Sequence, residues 1–225
     1  MIETDSVVMR RKLAATRADR SNPIKQFNVL WLAEEAEHGR ALSAAAERLG
    51  VRLRSPEKRP MLRDLRSVTT WPALYVSGAL IPYLDAAYCV LGSLQEYIAL
   101  TTYRRIAVRV GDEALYGLLH DIARQEGRHM RFYAESAKVL LSEPSARWVT
   151  VTLINHLWRP PGVDLLGLEK WLNVFRPLFD DHEYVSNLLR VDQILGKLTH
   201  YAEVRPMRRF IEAAMPEKLQ SGREL

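Results

Sequence analysis

Residues 89–100 read CVLGSLQEYIAL, and they place a single carboxylate, Glu96, in the most apolar part of the chain. The helix that this stretch predicts is apolar nearly all the way round, which is typical of a helix at the centre of a helical bundle. A carboxylate buried there without a partner would be costly. A bound metal ion would remove that cost, so the stretch predicts a metal ligand inside a helical core.

The composition favours long helices over sheets. The 225 residues include only 11 glycines and 11 prolines, and no stretch shows the apolar–polar alternation of a strand. We therefore predict an all-α protein with a single domain at 1–225. Its parts are a core bundle at about 3–142, accessory helices at about 147–214 and a polar tail at 215–225.

Capping residues and helix breakers indicate where helices begin and end. Gly50 is expected to end the first helix and Asp112 to cap a later one. The apolar segment 71–109 is expected to form one or two helices, kinked near Pro82. With these signals, the apolar periodicity predicts helices at 24–49, 71–109, 113–141, 164–176, 182–202 and 205–214.

The cysteine count and the charge limit the kinds of site. Cys89 is the only cysteine, so an intrachain disulfide and a thiolate zinc cluster are excluded, and a metal site must use histidine and carboxylate. The formal net charge of +5 permits an acidic partner without identifying one.

No secretory signal is visible, and the apolar stretch 67–94 carries prolines and an aspartate that a lipid-spanning helix would tolerate poorly. We expect a cytoplasmic protein without a transmembrane segment.

Two Glu-x-x-His pairs lie on either side of Glu96 in the sequence. They are Glu35 with His38 and Glu126 with His129, and a spacing of three residues places both side chains of a pair on one helix face. Two such pairs, with a lone glutamate on each of two further helices, form the ligand scheme of a di-iron site in a four-helix bundle. Carboxylates with imidazoles suit iron or manganese. The competing interpretation of each pair is an ion pair on the exposed face of a helix.

The residues around these glutamates form three short motifs, WLAEEAEHG at 31–39, LQE at 94–96 and QEGRH at 125–129. They resemble the Glu-Glu-x-x-His-Gly, Phe-Gln-Glu and Asp-Glu-Lys-Arg-His motifs of the soluble desaturases that act on acyl chains of acyl-carrier protein (ACP). These acyl-ACP desaturases are ferritin-like di-iron carboxylate proteins. The resemblance covers about residues 3–142, and the helical C-terminal part more loosely. The actinobacterial branch of the family is closer than the plant branch.

The resemblance implies a role for each predicted ligand. Glu35 and Glu126 would bridge the iron ions. His38 and His129 would each bind one iron, and Glu96, the lone glutamate of the apolar helix, would be a terminal ligand.

The resemblance places one further terminal ligand near the start of the chain. Glu3 is the acid that leads into a helix-like run there, and Asp5 is a near alternative. The helix that would carry Glu3 is short by the standard of the family. We therefore expect either a start further upstream or a shortened member of the family.

By the same resemblance, the chain would use O2 and two electrons, usually from ferredoxin, to introduce a cis double bond into an acyl chain on ACP. Family members are commonly homodimers. An apolar slot for the acyl chain would be lined by Leu32, Ala99 and Leu100. A cluster of cations could dock the acidic carrier, or could be ordinary solvated surface. Its members are Arg52, Arg54, Lys58, Arg59, Arg63 and Arg66.

Two other functions remain open. The first is a related di-iron oxygenase that hydroxylates or N-oxygenates a different substrate. The second is a helical protein without catalytic activity that binds a partner. Nucleic acid is not the expected partner, because the cations are scattered over several segments instead of lying along one helix face.

Overall fold

The computed structural model describes residues 21–51 and 81–215, and every regular element within these two ranges is a helix. The all-α prediction is confirmed for this part of the chain. None of the helices in these ranges is long and apolar enough to span a membrane. The chain divides into two compact units, residues 1–85 and 86–225. The four-helix bundle and the single domain stay predictions.

The N-terminal unit contains a long helix, α1, at Asn22–Arg48. The hydroxyl of Ser21 caps it by accepting the N–H of Ile24 at 3.4 Å, and Pro23 occupies the first turn, where its missing N–H is not needed. Gly50 follows the helix with a φ of +73°, a conformation that glycine adopts without steric cost. The predicted start and end of this helix are therefore confirmed.

The apolar helix that carries Glu96 is α2, at Leu84–Arg109. Residues 86–90 are all buried, as expected for a helix that is apolar nearly all the way round. Pro82 and Tyr83 form a turn before the helix, and Tyr83 has a φ of +59°. The part of the predicted segment from Leu84 to Arg109 is therefore confirmed as a helix. Proline lacks an N–H, and its ring clashes with a preceding helical turn, so this helix begins after Pro82. The kink itself stays a prediction, because residues 71–80 fall outside the described residues.

The second Glu-x-x-His pair lies on α3, at Glu113–Leu140. The carboxylate of Asp112 accepts the N–H of Leu115 at 2.8 Å, which confirms the predicted cap. Buried side chains recur every three or four residues along α3 and so form a single face. They are Leu119, Ile122, Ala123, Glu126, His129, Tyr133 and Ala137.

The remainder of the C-terminal unit consists of shorter helices. The predicted helix at 164–176 is interrupted by Gly167, which has a φ of +81°. The predicted helix at 182–202 ends at Thr199, because His200 adopts a left-handed φ of +64°. The observed helices are α4 at Pro144–Leu157, α5 at Val163–Leu166, α6 at Leu168–Phe175, a 3-10 helix at Arg176–Asp180, α7 at His182–Thr199 and α8 at Pro206–Ala214.

The C-terminal half of α2 is anchored at the start of α7. The hydroxyls of Thr102 and Tyr184 share a buried hydrogen bond of 3.0 Å, and Arg105 forms an ion pair with Asp181. Two contacts on successive turns of α2 restrict its rotation about its own axis. They therefore help to set the direction in which Glu96 points.

Replacing Tyr184 by phenylalanine tests the burial of this side chain through the pH dependence of stability. Burial raises the pKa of Tyr184 from 10.0 to about 12, so the unfolded chain loses the phenolic proton first. The stabilising contribution is complete below about pH 10 and is lost as the pH rises through about 12. Over that window, the free energy of unfolding of the wild type should fall by on the order of 2–3 kcal/mol more than that of Tyr184→Phe.

Urea denaturation at a series of pH values measures this difference. Tyr116 is exposed, so Tyr116→Phe should follow the wild type throughout. Parallel pH profiles for the wild type and Tyr184→Phe would contradict the prediction.

Candidate metal centre

Three of the predicted ligands lie together in the C-terminal unit. Glu96 on α2 is buried, and Glu126 and His129 on α3 are each only 1% exposed. Each of the three offers one ligand atom, and these atoms lie within 4.8 Å of one another. Glu96, Glu126 and His129 thus form a buried group, the ligand group, that could hold a metal ion.

The geometry of α3 explains how two members of the ligand group meet. Glu126 and His129 are three residues apart and so lie on one face of the helix. Nδ1 of His129 lies 3.1 Å from Oε2 of Glu126. The same helix carries Glu135 on its exposed side, where it pairs with Lys138 at 2.6 Å. The position of an acid on the helix therefore decides whether it lies in the core or in solvent.

The chemistry of the ligand group fits a metal ion. Glu96 and Glu126 place two carboxylates within 4.8 Å of each other in a buried site, where the low dielectric strengthens their repulsion. A divalent cation would offset this repulsion and favour the charged form of both carboxylates. Carboxylate oxygens with an imidazole nitrogen are donors that suit iron and manganese.

The first Glu-x-x-His pair, in the N-terminal unit, is also buried. Nδ1 of His38 lies 3.7 Å from Oε1 of Glu35, and the two side chains are 2% and 6% exposed. Glu37, on the same helix, is 71% exposed and pairs with Arg40. The interpretation as an exposed ion pair therefore describes Glu37, and it is wrong for both Glu-x-x-His pairs.

The other predicted site residues differ in burial or lie outside the described residues. Leu100 on α2 is buried, whereas Leu32 on α1 and Ala99 on α2 are half-buried. Their role as channel lining stays a prediction. The predicted terminal ligand and the predicted docking cations fall outside the described residues: Glu3, Arg52, Arg54, Lys58, Arg59, Arg63 and Arg66.

A buried tyrosine pair beside the ligand group was missed from the sequence. The hydroxyls of Tyr88 on α2 and Tyr133 on α3 lie 3.0 Å apart. Burial raises the pKa of Tyr133, and the charges of Tyr88 and Glu96 raise it further, so this phenol stays protonated at neutral pH. One signal was available: Tyr133 lies four residues after His129 and therefore on the ligand face of its helix.

Comparisons with known proteins do not identify a family. No protein-family model, no curated protein and no solved structure matches this chain. The likeness to the acyl-ACP desaturases therefore rests on the three sequence motifs, and membership of that family stays a proposal.

Removing a member of the ligand group should weaken metal binding strongly and leave the helices intact. Glu126→Gln loses a negative charge, and His129→Ala loses the imidazole donor. We expect each variant to bind Fe(II) or Mn(II) more than about tenfold more weakly than the wild type, because losing even a supporting residue often costs that much. Anaerobic equilibrium dialysis with metal analysis measures the affinity, and circular dichroism checks the helix content.

The matched controls lie on the same helix. Glu135→Gln and His120→Ala change an exposed glutamate and an exposed histidine of α3, and both variants should bind metal as the wild type does. Full metal binding by Glu126→Gln or by His129→Ala would show that the ligand assignment is wrong.

Proposed function

We propose that this chain is an O2-dependent di-iron desaturase that introduces a cis double bond into an acyl chain carried on ACP. The observation that supports this best is the buried ligand group of Glu96, Glu126 and His129. The second buried pair, Glu35 with His38, adds to it. Buried clusters of carboxylates and histidines are rare in protein interiors, and where they occur they are often functional sites.

In the proposed centre, the two Glu-x-x-His pairs meet in a ferritin-like four-helix bundle. The support is the equal spacing and the burial of both pairs, together with a lone buried glutamate on the apolar helix between them. This is the donor pattern of di-iron carboxylate proteins. The residues that would hold the two iron ions are the pairs Glu35 with His38 and Glu126 with His129, together with the lone glutamates Glu96 and Glu3.

The protein's own residues bind the ions and keep water away from them. When bound, two iron ions would supply the oxidising chemistry that removes two hydrogens from adjacent carbons, with O2, two electrons from a ferredoxin-type reductant and two protons consumed and two water molecules formed. The buried faces of α2 and α3 exclude water from the ligand group, which favours the intended reaction over side reactions. No side chain is required as a nucleophile.

We propose an acyl chain as the substrate and an acidic carrier protein as the partner, on the basis of the apolar residues and the net charge of this chain. The acyl chain would lie beside the centre against Leu32, Ala99 and Leu100. The chain carries a formal net charge of +5, which complements an acidic carrier protein and would speed its encounter. We propose the cations between Arg52 and Arg66 as the docking surface, and a homodimer as the assembly.

One experiment separates the candidate functions. Purified protein is loaded anaerobically with Fe(II), and it should bind two iron ions per chain. Saturated acyl-ACPs of graded chain length are then supplied with ferredoxin, ferredoxin reductase, NADPH and O2. Mass spectrometry of the acyl chains should show the loss of two hydrogens at one position.

The other outcomes are equally informative. A hydroxylated product on fully iron-loaded protein would replace the desaturase by a related di-iron oxygenase. Binding of well under one iron per chain would eliminate both enzymes and leave a helical binding protein. Glu96→Gln should lose product formation, and Glu135→Gln, which changes an exposed acid, should retain it.

A further inference from the structure

A glycine allows a ring of α3 to lie directly on the backbone of α2 beside the ligand group. A Cβ built at Gly92 would lie 2.8 Å from two ring carbons of Tyr133 and 2.9 Å from a third. Ordinary contacts of a Cβ begin at 3.4 Å. Any other residue at this position would therefore force the ring or the helix to move.

The position of this ring is held by a second tyrosine. Tyr88 lies one turn before Gly92 on α2, and its hydroxyl lies 3.0 Å from that of Tyr133. The two rings meet edge to face, with centroids 5.6 Å apart and an interplanar angle of 82°. Both side chains are buried, so water does not compete for the hydrogen bond, and the ring has little freedom to give way.

The contact lies one helical turn from the ligands on both helices. Gly92 is four residues before Glu96, and Tyr133 is four residues after His129. At 1.5 Å per residue, each is about 6 Å along its helix from a ligand. A helix is stiff over one turn, so a displacement at the contact is carried to the ligand side chains.

We infer that the contact between Tyr133 and Gly92 sets the separation of α2 and α3 at which Glu96 can share a metal ion with Glu126 and His129. Tyr88, Gly92 and Tyr133 are positioning residues that act through the two ligand-bearing helices. The inference rests on the metal-binding part of the proposed function. It adds the residues that hold α2 and α3 at the separation that metal binding requires.

The size of the displacement supports this inference. A Cβ at 2.8 Å must move by about 0.6 Å to reach the ordinary contact distance of 3.4 Å. Metal–ligand distances tolerate deviations of only about 0.2 Å. A single methyl group at position 92 therefore requires a shift larger than this tolerance at a contact one helical turn from the ligands.

Gly92→Ala tests the inference, with Co(II) as the probe because its visible spectrum reports coordination geometry as well as binding. The matched control is Gly117→Ala on α3, since a Cβ at Gly117 meets no atom within 4 Å. We expect Gly92→Ala to bind Co(II) at least about tenfold more weakly than the wild type, with a changed visible spectrum. Gly117→Ala should match the wild type in both measurements.

Two further variants keep the test decisive if Gly92→Ala folds poorly. Tyr133→Phe keeps the ring on Gly92 and loses the hydroxyl bond, and it should weaken Co(II) binding by about threefold with an unchanged spectrum. The double variant Gly92→Ala/Tyr133→Leu replaces the ring that the new methyl group would strike. It should regain much of the lost affinity, a recovery that two independent destabilising changes would not produce.

The failure of this inference is distinct from the failure of the proposed function. Wild-type Co(II) affinity and spectrum in Gly92→Ala would overturn the inference and leave the metal site in place. No binding of Co(II) by the wild-type chain would overturn the metal-binding part of the proposed function, and this inference with it.

Discussion

The carboxylates of Glu96 and Glu126 lie buried beside His129, with ligand atoms within 4.8 Å of one another. Like charges at this separation repel far more strongly in a protein interior than in water, because the surrounding dielectric is low. An ionised carboxylate that is buried without compensation is also costly in itself. A cation of high charge density is the partner that offsets both terms. The remainder of α2 and α3 keeps the two carboxylates in place for such a partner.

Two anchors on α2, one on each side of Glu96, keep its carboxylate in place. Towards the N-terminus, the ring of Tyr133 lies on Gly92 and its hydroxyl bonds to Tyr88. Towards the C-terminus, Thr102 bonds to Tyr184. A helix held at two points several residues apart resists both rotation and sliding. The direction of the carboxylate between them is therefore defined by packing before any metal binds, which is the condition for a preorganised site.

Features that depend on neighbours in the sequence were predictable. The cap at Asp112 and the helix end at Gly50 are local, since a side chain or a glycine acts there within one turn. The error at Gly167 is also local in origin, because apolar periodicity was continued across a residue whose positive φ interrupts the helix. The spacing of both Glu-x-x-His pairs predicted that each pair shares one helix face, and the structure adds that both faces are buried. The tyrosine pair was not expected, because its two members are 45 residues apart.

The sequence by itself determined the all-helical class, the exclusion of a thiolate cluster and the spacing that puts each glutamate and its histidine on one helix face. These properties follow from composition and from a helical period of 3.6 residues, which neighbouring residues define without reference to the rest of the chain. Only the tertiary structure decided which acids are buried, with Glu126 inside and Glu135 in solvent on the same helix. It also decided how closely α2 approaches α3 at Gly92, because the distance between two helices depends on the fit of side chains that are remote in sequence.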